Sequence, residues 1–330
     1  MAPHISVIIV NYNSGARLRR CVDCLKAQDF RDFETIVIDN ASSDGSAAFA
    51  RDDGAVTLIE AGGNLGFAAG NNLAAKSAQG EWLAFLNPDA YAEPDWLSEF
   101  LAAAARHPEI DAFGSTQLDA ARPDRIDGAG DAYHAFGVSW RGCYAWPKDK
   151  LPPEGECFAP CGAAAFYRKA TFDRLGGFEE RFFCYAEDAD LGFKLRLSGG
   201  GAMQAPKAVV LHEGSGVTGK ESDFTLYHGH RNRVWTYVLN MPLPLLVLTA
   251  PFHLLLNLYL LGRFTVSGGA GSYLRAMKDA AKGLPEIWER RKARQRAREA
   301  SVADIARALT WSPLKMMRRE ADIRTRLKTR

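Results

Sequence analysis

Trp82-Leu83-Ala84-Phe85-Leu86-Asn87-Pro88-Asp89-Ala90 is a short apolar run that stops abruptly at Asn-Pro-Asp. A run of this kind, bounded by a turn signal, reads as a buried strand of a parallel sheet. Pro88 has no N–H to give a ladder, so the strand ends there and Asp89 is delivered at its carboxyl end. In open α/β sheets that edge is where ligands bind. A hard cation bridging a diphosphate needs only one or two protein carboxylates, because phosphate oxygens and water complete its shell. The plain alternative is a turn whose Asp caps a helix from Pro94 to Ala105.

Toward the amino terminus the same grammar repeats. His4-Ile5-Ser6-Val7-Ile8-Ile9-Val10 is a β-branched strand running into Asn11-Tyr12-Asn13, and a helix from about Gly15 to Gln28 follows, with Leu18, Cys21, Val22 and Leu25 at helical spacing. Phe33-Glu34-Thr35-Ile36-Val37-Ile38-Asp39-Asn40 is a second buried strand ending in a carboxylate, before the turn Ala41-Ser42-Ser43-Asp44-Gly45-Ser46. Val56-Thr57-Leu58-Ile59 is a third, leading into Gly62-Gly63-Asn64-Leu65-Gly66-Phe67-Ala68-Ala69-Gly70-Asn71-Asn72. Strands separated by helix-length segments imply right-handed crossovers and an α/β fold with a mostly parallel central sheet.

Toward the carboxyl terminus, Phe183-Cys184-Tyr185-Ala186-Glu187-Asp188-Ala189-Asp190-Leu191 sets three carboxylates just ahead of the helix-like run Leu191 to Leu197. A helix start favours negative charge, since unsatisfied N–H groups and the dipole point there. Crowded carboxylates also perturb one another's protonation, which suits one of them to act as a general base. Alone, the cluster is an ordinary acidic helix start. Residues 118–157, with Gly128, Gly130, Gly137, Trp140 and Trp146, read as a loop region over the acceptor side of a site.

Several classes are excluded. The first strand enters Asn-Tyr-Asn-Ser-Gly and not Gly-x-Gly-x-x-Gly, so a dinucleotide dehydrogenase is unsupported; no P-loop is present either. A sugar nucleotidyltransferase would need a Gly-rich basic loop where Asn11 to Arg17 stands. Ser6–Asn13, Val37–Ser46, Asn64–Asn72, Leu86–Asp89 and Glu187–Leu191 match, in order, the motifs of family-two inverting glycosyltransferases. The chain most resembles the rhamnosyltransferase-like branch of O-antigen and cell-wall biosynthesis, over roughly residues 4–240. The resemblance implies the glycosyltransferase A fold and an inverting transfer from a nucleoside diphosphate sugar to a lipid-linked saccharide acceptor, with Mg2+ or Mn2+. Rhamnose from dTDP-rhamnose onto a polyprenyl-diphosphate-linked saccharide fits best; GlcNAc, galactose or glucose is the alternative sugar.

The resemblance also implies roles. Asp39 would contact the nucleobase with Asn11, Asn13 and Asn40 nearby, and Asn64, Gly66 and Asn71 would shape the nucleotide pocket. Asn87-Pro88-Asp89 stands where the family carries its metal motif, with Asn in the first carboxylate's place, so Asp89 would carry the ligation and His212 would complete it. Asp188 would be the general base, with Glu187 or Asp190 positioning it or the acceptor. By their charge alone, Arg231 and Arg233 could act against the donor diphosphate or the acceptor's phosphate, or form a snorkelling basic border to the apolar segment that follows. An inverting transfer needs no protein nucleophile, so the absence of a Ser-His-Asp or Cys-His arrangement is no objection.

Met241 to Leu261 contains no Asp, Glu, Lys or Arg. Its length permits a span, but Pro242, Pro244, Pro251, His253 and Asn257 favour an interfacial or re-entrant helix. A buried core helix or the face of a homodimer fits the same segment. Residues 263–330 carry 18 Lys and Arg against 7 Asp and Glu, and residues 1–262 carry 23 against 32, so the net charge of +2 is unevenly divided. The basic run Arg290 to Arg298 beside an apolar stretch reads as a clamp on an anionic membrane surface. Nucleic acid is its rival partner, but no base-reading module accompanies the tract. The division is a catalytic domain at 1–240 and a membrane-associating segment at 241–330, separable from the sugar chemistry. No signal peptide is read at the amino terminus, and six scattered cysteines (Cys21-x-x-Cys24 lacks a second pair for zinc) fit a reducing compartment. The expected place is the cytoplasmic face of the cell membrane, peripheral or monotopic; a non-catalytic membrane scaffold is disfavoured by Asp89, Asp188 and His212.

Overall fold

The computed structural model describes residues 2–214 and 222–325. Strands β1 (Ile5–Asn11), β2 (Phe33–Asp39), β3 (Val56–Glu60) and β4 (Trp82–Leu86) run parallel in the spatial order β3-β2-β1-β4. Helix α1 (Ala16–Lys26) links β1 to β2, and α2 (Gly66–Ser77) links β3 to β4. Next come β5 (Ala90–Ala92), α3 (Trp96–Arg106), β6 (Ala112–Asp119), β7 (Arg122–Gly128), β8 (Asp131–His134), β9 (Val138–Arg141), β10 (Gly155–Cys157) and β11 (Ala164–Arg168). Helices α4 (Lys169–Arg174) and α5 (Glu187–Leu197) precede β12 (Ala202–His212). The chain closes with α6 (Asp223–Asn240), α7 (Leu243–Ser267), α8 (Ala270–Arg296), α9 (Val302–Ala308) and α10 (Pro313–Arg318).

The sheet continues from β4 through β11, β6 and β12 to β10. β11 lies antiparallel between β4 and β6, whereas β6 and β12 are parallel. Side chains alternate as the pleat requires. Val7 and Ile9 of β1 join Leu18, Cys21, Val22 and Leu25 of α1 and Trp96 and Phe100 of α3 on one face. Ile8 joins Phe85, Ala68 and Ala74 of α2, and Leu191 and Leu195 of α5 on the other. Buried between two helical layers, the strands are apolar on both faces.

Residues 118–157 are not the open loop region the glycines suggested. They hold β7, the β8–β9 hairpin and β10, and Ile126, Ala129, Tyr133 and Trp140 are buried. Short strands broken by Gly and Asp carry too little periodicity to be seen in sequence.

Helix α7 is two-sided. Leu245, Thr249 and His253 are buried against the protein, while Val247, Leu248, Leu254, Leu255, Leu258 and Tyr259 are exposed. It is long and apolar enough to cross a membrane, yet only 17% of its apolar window is covered by protein. Ahead of it, Pro242 and Pro244 sit at the helix start, where a missing N–H costs nothing. Arg290, Arg291 and Arg294 of the basic run are engaged by the protein, while Lys292 and Arg296 remain exposed. Arg291 donates to the carbonyls of Val238 and Met241, Arg290 pairs with Glu179 and Glu286, and Arg294 pairs with Asp190 and Glu179.

Candidate active site

The carboxyl ends of β1, β2 and β4 make one wall. Asn11, fully buried, donates to Asp39 (2.8 Å), Ser42 (3.0 Å) and Ser46 (2.9 Å). It is a bracket between strand ends and not an exposed contact. Asp39 also accepts from the Ser42 hydroxyl at 2.6 Å and remains half-buried at the edge. Asn13, with φ of 49°, accepts from the Ser43 N–H at 2.8 Å and so ties the two loops together. Asn40 is buried and donates to the Gly66 carbonyl at 3.0 Å. Asn64 is exposed and accepts from the Gly66 N–H at 3.0 Å, whereas Asn71 is buried and donates back into its own helix, to Phe67.

Gly66 is required sterically. Its φ is +78°, and an added Cβ would lie 2.5 Å from the Phe183 carbonyl oxygen and from its ring. That carbonyl accepts from the Ala68 N–H at 3.2 Å. The glycine-rich loop is thereby fastened to the loop that carries Asp188.

Beyond β4, Asp89 is 4% exposed, and His212 at the end of β12 is 5% exposed. His212 Nε2 stands 3.4 Å from Asp89 Oδ1, and its Nδ1 meets Asp127 Oδ2 at 2.7 Å. Arg141 in turn pairs with Asp127. Burial depresses the imidazole's pKa, but hydrogen bonds and charge from Asp127 and Asp89 outweigh it and push the value up to about 9. Nε2 has Asp89 as its one contact, at a long 3.4 Å, among the described residues. A carboxylate, an imidazole with an open Nε2 and a carboxylate behind the ring fit a divalent cation, which would take the proton's place.

Asp188 lies in the first turn of α5, as the acidic cluster predicted. Its carboxylate accepts from the Gly162 N–H (3.1 Å) and the Ala189 N–H (2.7 Å). Asn87 N–H in turn donates to the Ala163 carbonyl at 2.9 Å, so the base candidate and the Asn-Pro-Asp turn meet across the start of β11. Burial raises the Asp188 pKa above the usual carboxylate range, against the pull of those N–H groups and of Arg141. Asp131 and Cys161 complete a group with Asp188 whose ligand atoms lie within 4.8 Å of one another. Burial, then the Asp188 charge, pushes Asp131 well up. A thiol between two carboxylates is a poor set for a hard cation, and Asp188 cannot be both ligand and base. Glu187 is buried, and burial followed by the Asp188 charge pushes it up to about 8.

Asp190 is placed elsewhere. Fully buried, it is held by Asn240 (2.7 Å) and Arg294 (2.5 Å), with Lys194 at 3.7 Å. Burial opposes ionisation, but Arg294 and Lys194 win and lower its pKa. It anchors α5 to α6 and α8. Arg231 is likewise engaged: Nη2 donates to the carbonyls of Arg181 and Phe182. Beside it, Asn232 donates to the carbonyls of Phe182, Cys184 and Tyr185. These two residues hold a loop in which Phe183, Tyr185 and Ala186 have φ of 64°, 72° and 68°. Non-glycine residues adopt that region only under surrounding constraint. Asp127, Asp131, Arg141 and Asn232 carried no sequence signal, since their partners come from distant segments.

The Glycosyl transferase family 2 model matches residues 6–176. N-acetylglucosaminyl-diphospho-decaprenol L-rhamnosyltransferase of Mycobacterium tuberculosis (strain CDC 1551 / Oshkosh) is 30% identical over 264 residues, covering 72% of this chain and 84% of the relative. O-antigen biosynthesis protein RfbC of Myxococcus xanthus is 32% identical over 60% of this chain, though the match covers only 16% of that protein. Among solved structures, mannosyltransferase PcManGT from Pyrobaculum calidifontis, in complex with GDP-Man and Mn2+, superposes with a TM-score of 0.53 at 18% identity, over 93% of this chain and 87% of that one. That likeness confirms the mostly parallel α/β architecture. With the family model spanning half its length and the motif residues gathered at one sheet edge, this chain belongs to glycosyl transferase family 2.

Proposed function

We propose that this glycosyltransferase moves rhamnose, with inversion, from dTDP-rhamnose to a polyprenyl-diphosphate-linked saccharide at the cytoplasmic face of a cell membrane. The observation that carries the reaction is Asp188, half-buried, held by two N–H groups and joined through Gly162 and Ala163 to the Asn87–Asp89 turn. Asp188 takes the proton of the acceptor hydroxyl as that oxygen attacks the anomeric carbon from the face opposite the nucleotide. The glycosidic bond to the diphosphate breaks and the nucleoside diphosphate departs with the bonding pair. The raised Asp188 pKa favours proton uptake. Asp89 and His212 would hold Mg2+ or Mn2+, which when bound supplies positive charge to the departing diphosphate. Asp39, held by Asn11 and Ser42, would accept from the base or ribose of the donor.

The choice of rhamnose and of a prenyl-linked acceptor is supported by the mycobacterial relative, whose name states both. Membrane attachment is supported by the exposed apolar face of α7. Because the opposite face is pinned by Thr249 and His253, α7 is proposed to lie in the interface and not to span. The test is donor hydrolysis and transfer across a panel of nucleotide sugars with divalent metal, the product anomer read by NMR. The fastest turnover is expected with dTDP-rhamnose, with inverted configuration. Retention, or a clear preference for another donor, would overturn the assignment.

A further inference from the structure

Arg233 on α6 has a guanidinium buried at Nε and Nη1 and no carboxylate partner among the described residues. Its Nη2 donates to Asn257 Oδ1 of α7 at 2.6 Å. Its Nε and Nη1 are buried and make no hydrogen bond among the described residues. The ionisable groups that act on it are Tyr273, whose hydroxyl also hydrogen-bonds the guanidinium, and Tyr133, neither of them acidic at neutral pH. A guanidinium cannot shed its proton to escape burial, and an unpaired buried charge is costly.

The surroundings are of one kind. Tyr133 Oη, Thr236 Oγ1 and His253 Nε2 are also without hydrogen-bond partners among the described residues, in residues no more than 5% exposed. His253 Nδ1 meets the Phe136 carbonyl at 2.8 Å, which turns Nε2 away as a bare acceptor. Burial, then the Arg233 charge, lowers the His253 pKa to about 4; a bound anion would reverse that and let the ring take a proton. Just outside, Phe136 stacks on Phe252 with centroids 4.7 Å apart, and Phe252 opens onto the exposed apolar face of α7. On the inner side, Tyr133 is two residues along β8 from Asp131, about 7 Å of strand. The strand that carries Asp131 beside Asp188 also carries Tyr133, close enough to Arg233 to feel its charge.

We propose that Arg233 and Tyr133 hold a phosphate of a prenyl-linked diphosphate acceptor, the prenyl chain lying on the exposed face of α7. This deepens the function proposed above and rests on it for the identity of the acceptor. Arg231, two residues earlier, does not share this part, because its donors are taken by Asn232, Tyr227 and the carbonyls of Arg181 and Phe182.

The full chain in detergent, its nucleotide site saturated with dTDP, is titrated with farnesyl diphosphate and with farnesol. The wild type is expected to bind the diphosphate at least ten-fold more tightly. Arg233→Gln should erase that preference, a loss of about ten- to a hundred-fold, with dTDP affinity unchanged. Tyr133→Phe, which keeps the buried volume, should weaken farnesyl diphosphate several-fold and leaves the proposal testable if Arg233→Gln does not fold. Equal binding of the diphosphate by wild type and Arg233→Gln, or no preference over farnesol in the wild type, would overturn it. So would displacement of the probe by phosphatidylglycerol vesicles as readily as by unlabelled farnesyl diphosphate, which would assign the site to a lipid headgroup. These readouts need no sugar transfer: a wild type that binds the probe yet glycosylates no prenyl-linked saccharide refutes the proposed function alone.

Discussion

Replacing Asp188 with Asn separates chemistry from folding more cleanly than any other change in this site. The carboxylate accepts from Gly162 and Ala189 N–H groups. An amide has one oxygen, so one of these two loses its acceptor and faces an NH2 group. An unmade hydrogen bond costs about 1–3 kcal/mol. Relief of a half-buried charge offsets part of that, and the net loss of stability should stay near 1 kcal/mol, within the usual range for a point substitution. Removal of a general base costs roughly 10²- to 10⁴-fold in rate, or about 3–5 kcal/mol of barrier at 1.36 kcal/mol per decade. The two effects are therefore distinguishable. Transfer is measured at saturating donor and acceptor, donor affinity by titration, and stability by thermal melting. The expected outcome is a collapse of kcat with near-normal donor Kd and a small change in Tm. A folded Asp188→Asn enzyme turning over at more than a tenth of the wild-type rate would refute the assignment and move attention to Glu187.

Four further outcomes are expected. Because burial raises the Asp188 pKa and the base must be ionised, the acid limb of kcat/KM should lie above the ordinary Asp range, activity rising with pH through it; Arg141 opposes the shift, so Arg141→Gln should move the limb to still higher pH. Asp89→Ala should abolish the dependence of nucleotide binding on Mg2+ or Mn2+, and wild-type activity that survives exhaustive chelation would exclude a cation at Asp89 and His212. Arg294→Met removes the main counter-charge of fully buried Asp190 and should cost about 3–5 kcal/mol of stability, read by denaturant unfolding. Gly66→Ala forces a Cβ to 2.5 Å from the Phe183 carbonyl at a φ of +78° and should cost about 1–3 kcal/mol while lowering kcat through the displaced base loop.

The parallel half of the fold was legible because Val, Ile, Leu and Phe runs such as Ile5–Val10 and Trp82–Leu86 leave no other period to read. Asp89, Asp188 and His212 were visible because each follows a strong element boundary. What stayed hidden depends on contacts between distant segments. The ring of His212 is oriented by Asp127, 85 residues away, and Asp131 reaches Asp188 from a four-residue strand too short to show a period and flanked by Gly130 and Gly137. β11 could not be foreseen as an antiparallel insertion between β4 and β6, since alternation says nothing of direction. Most instructive is the basic run. Its composition resembles a lipid clamp, but charge counting cannot reveal that Asp190 and Glu179 lie within reach of Arg294 and Arg290.

That last point changes how the carboxyl-terminal helices relate to the chemistry. Their separability, expected because the motifs stop before residue 241, does not fit the contacts of α5. Asp188 and Asp190 share the first turn of α5. One faces Gly162 at the sheet edge; the other is held by Asn240 of α6 and Arg294 of α8. Immediately upstream, the left-handed residues Phe183, Tyr185 and Ala186 lie in the loop tied down by Asn232 and Arg231 of α6. On the far side, α9 and its flanks pack Ala300, Ile305 and Leu309 with Phe193 of α5 and Tyr133 of β8 in one apolar cluster. Asp188 is thus located by helices packed with the one that carries the exposed apolar face, α7. If α7 rests on a bilayer, the position of the membrane surface and the position of Asp188 are set by one rigid set of helix contacts. A lipid-linked acceptor held at that surface would then present its hydroxyl at a fixed height relative to the base, which is what an inverting transfer between a soluble donor and a membrane-bound acceptor requires.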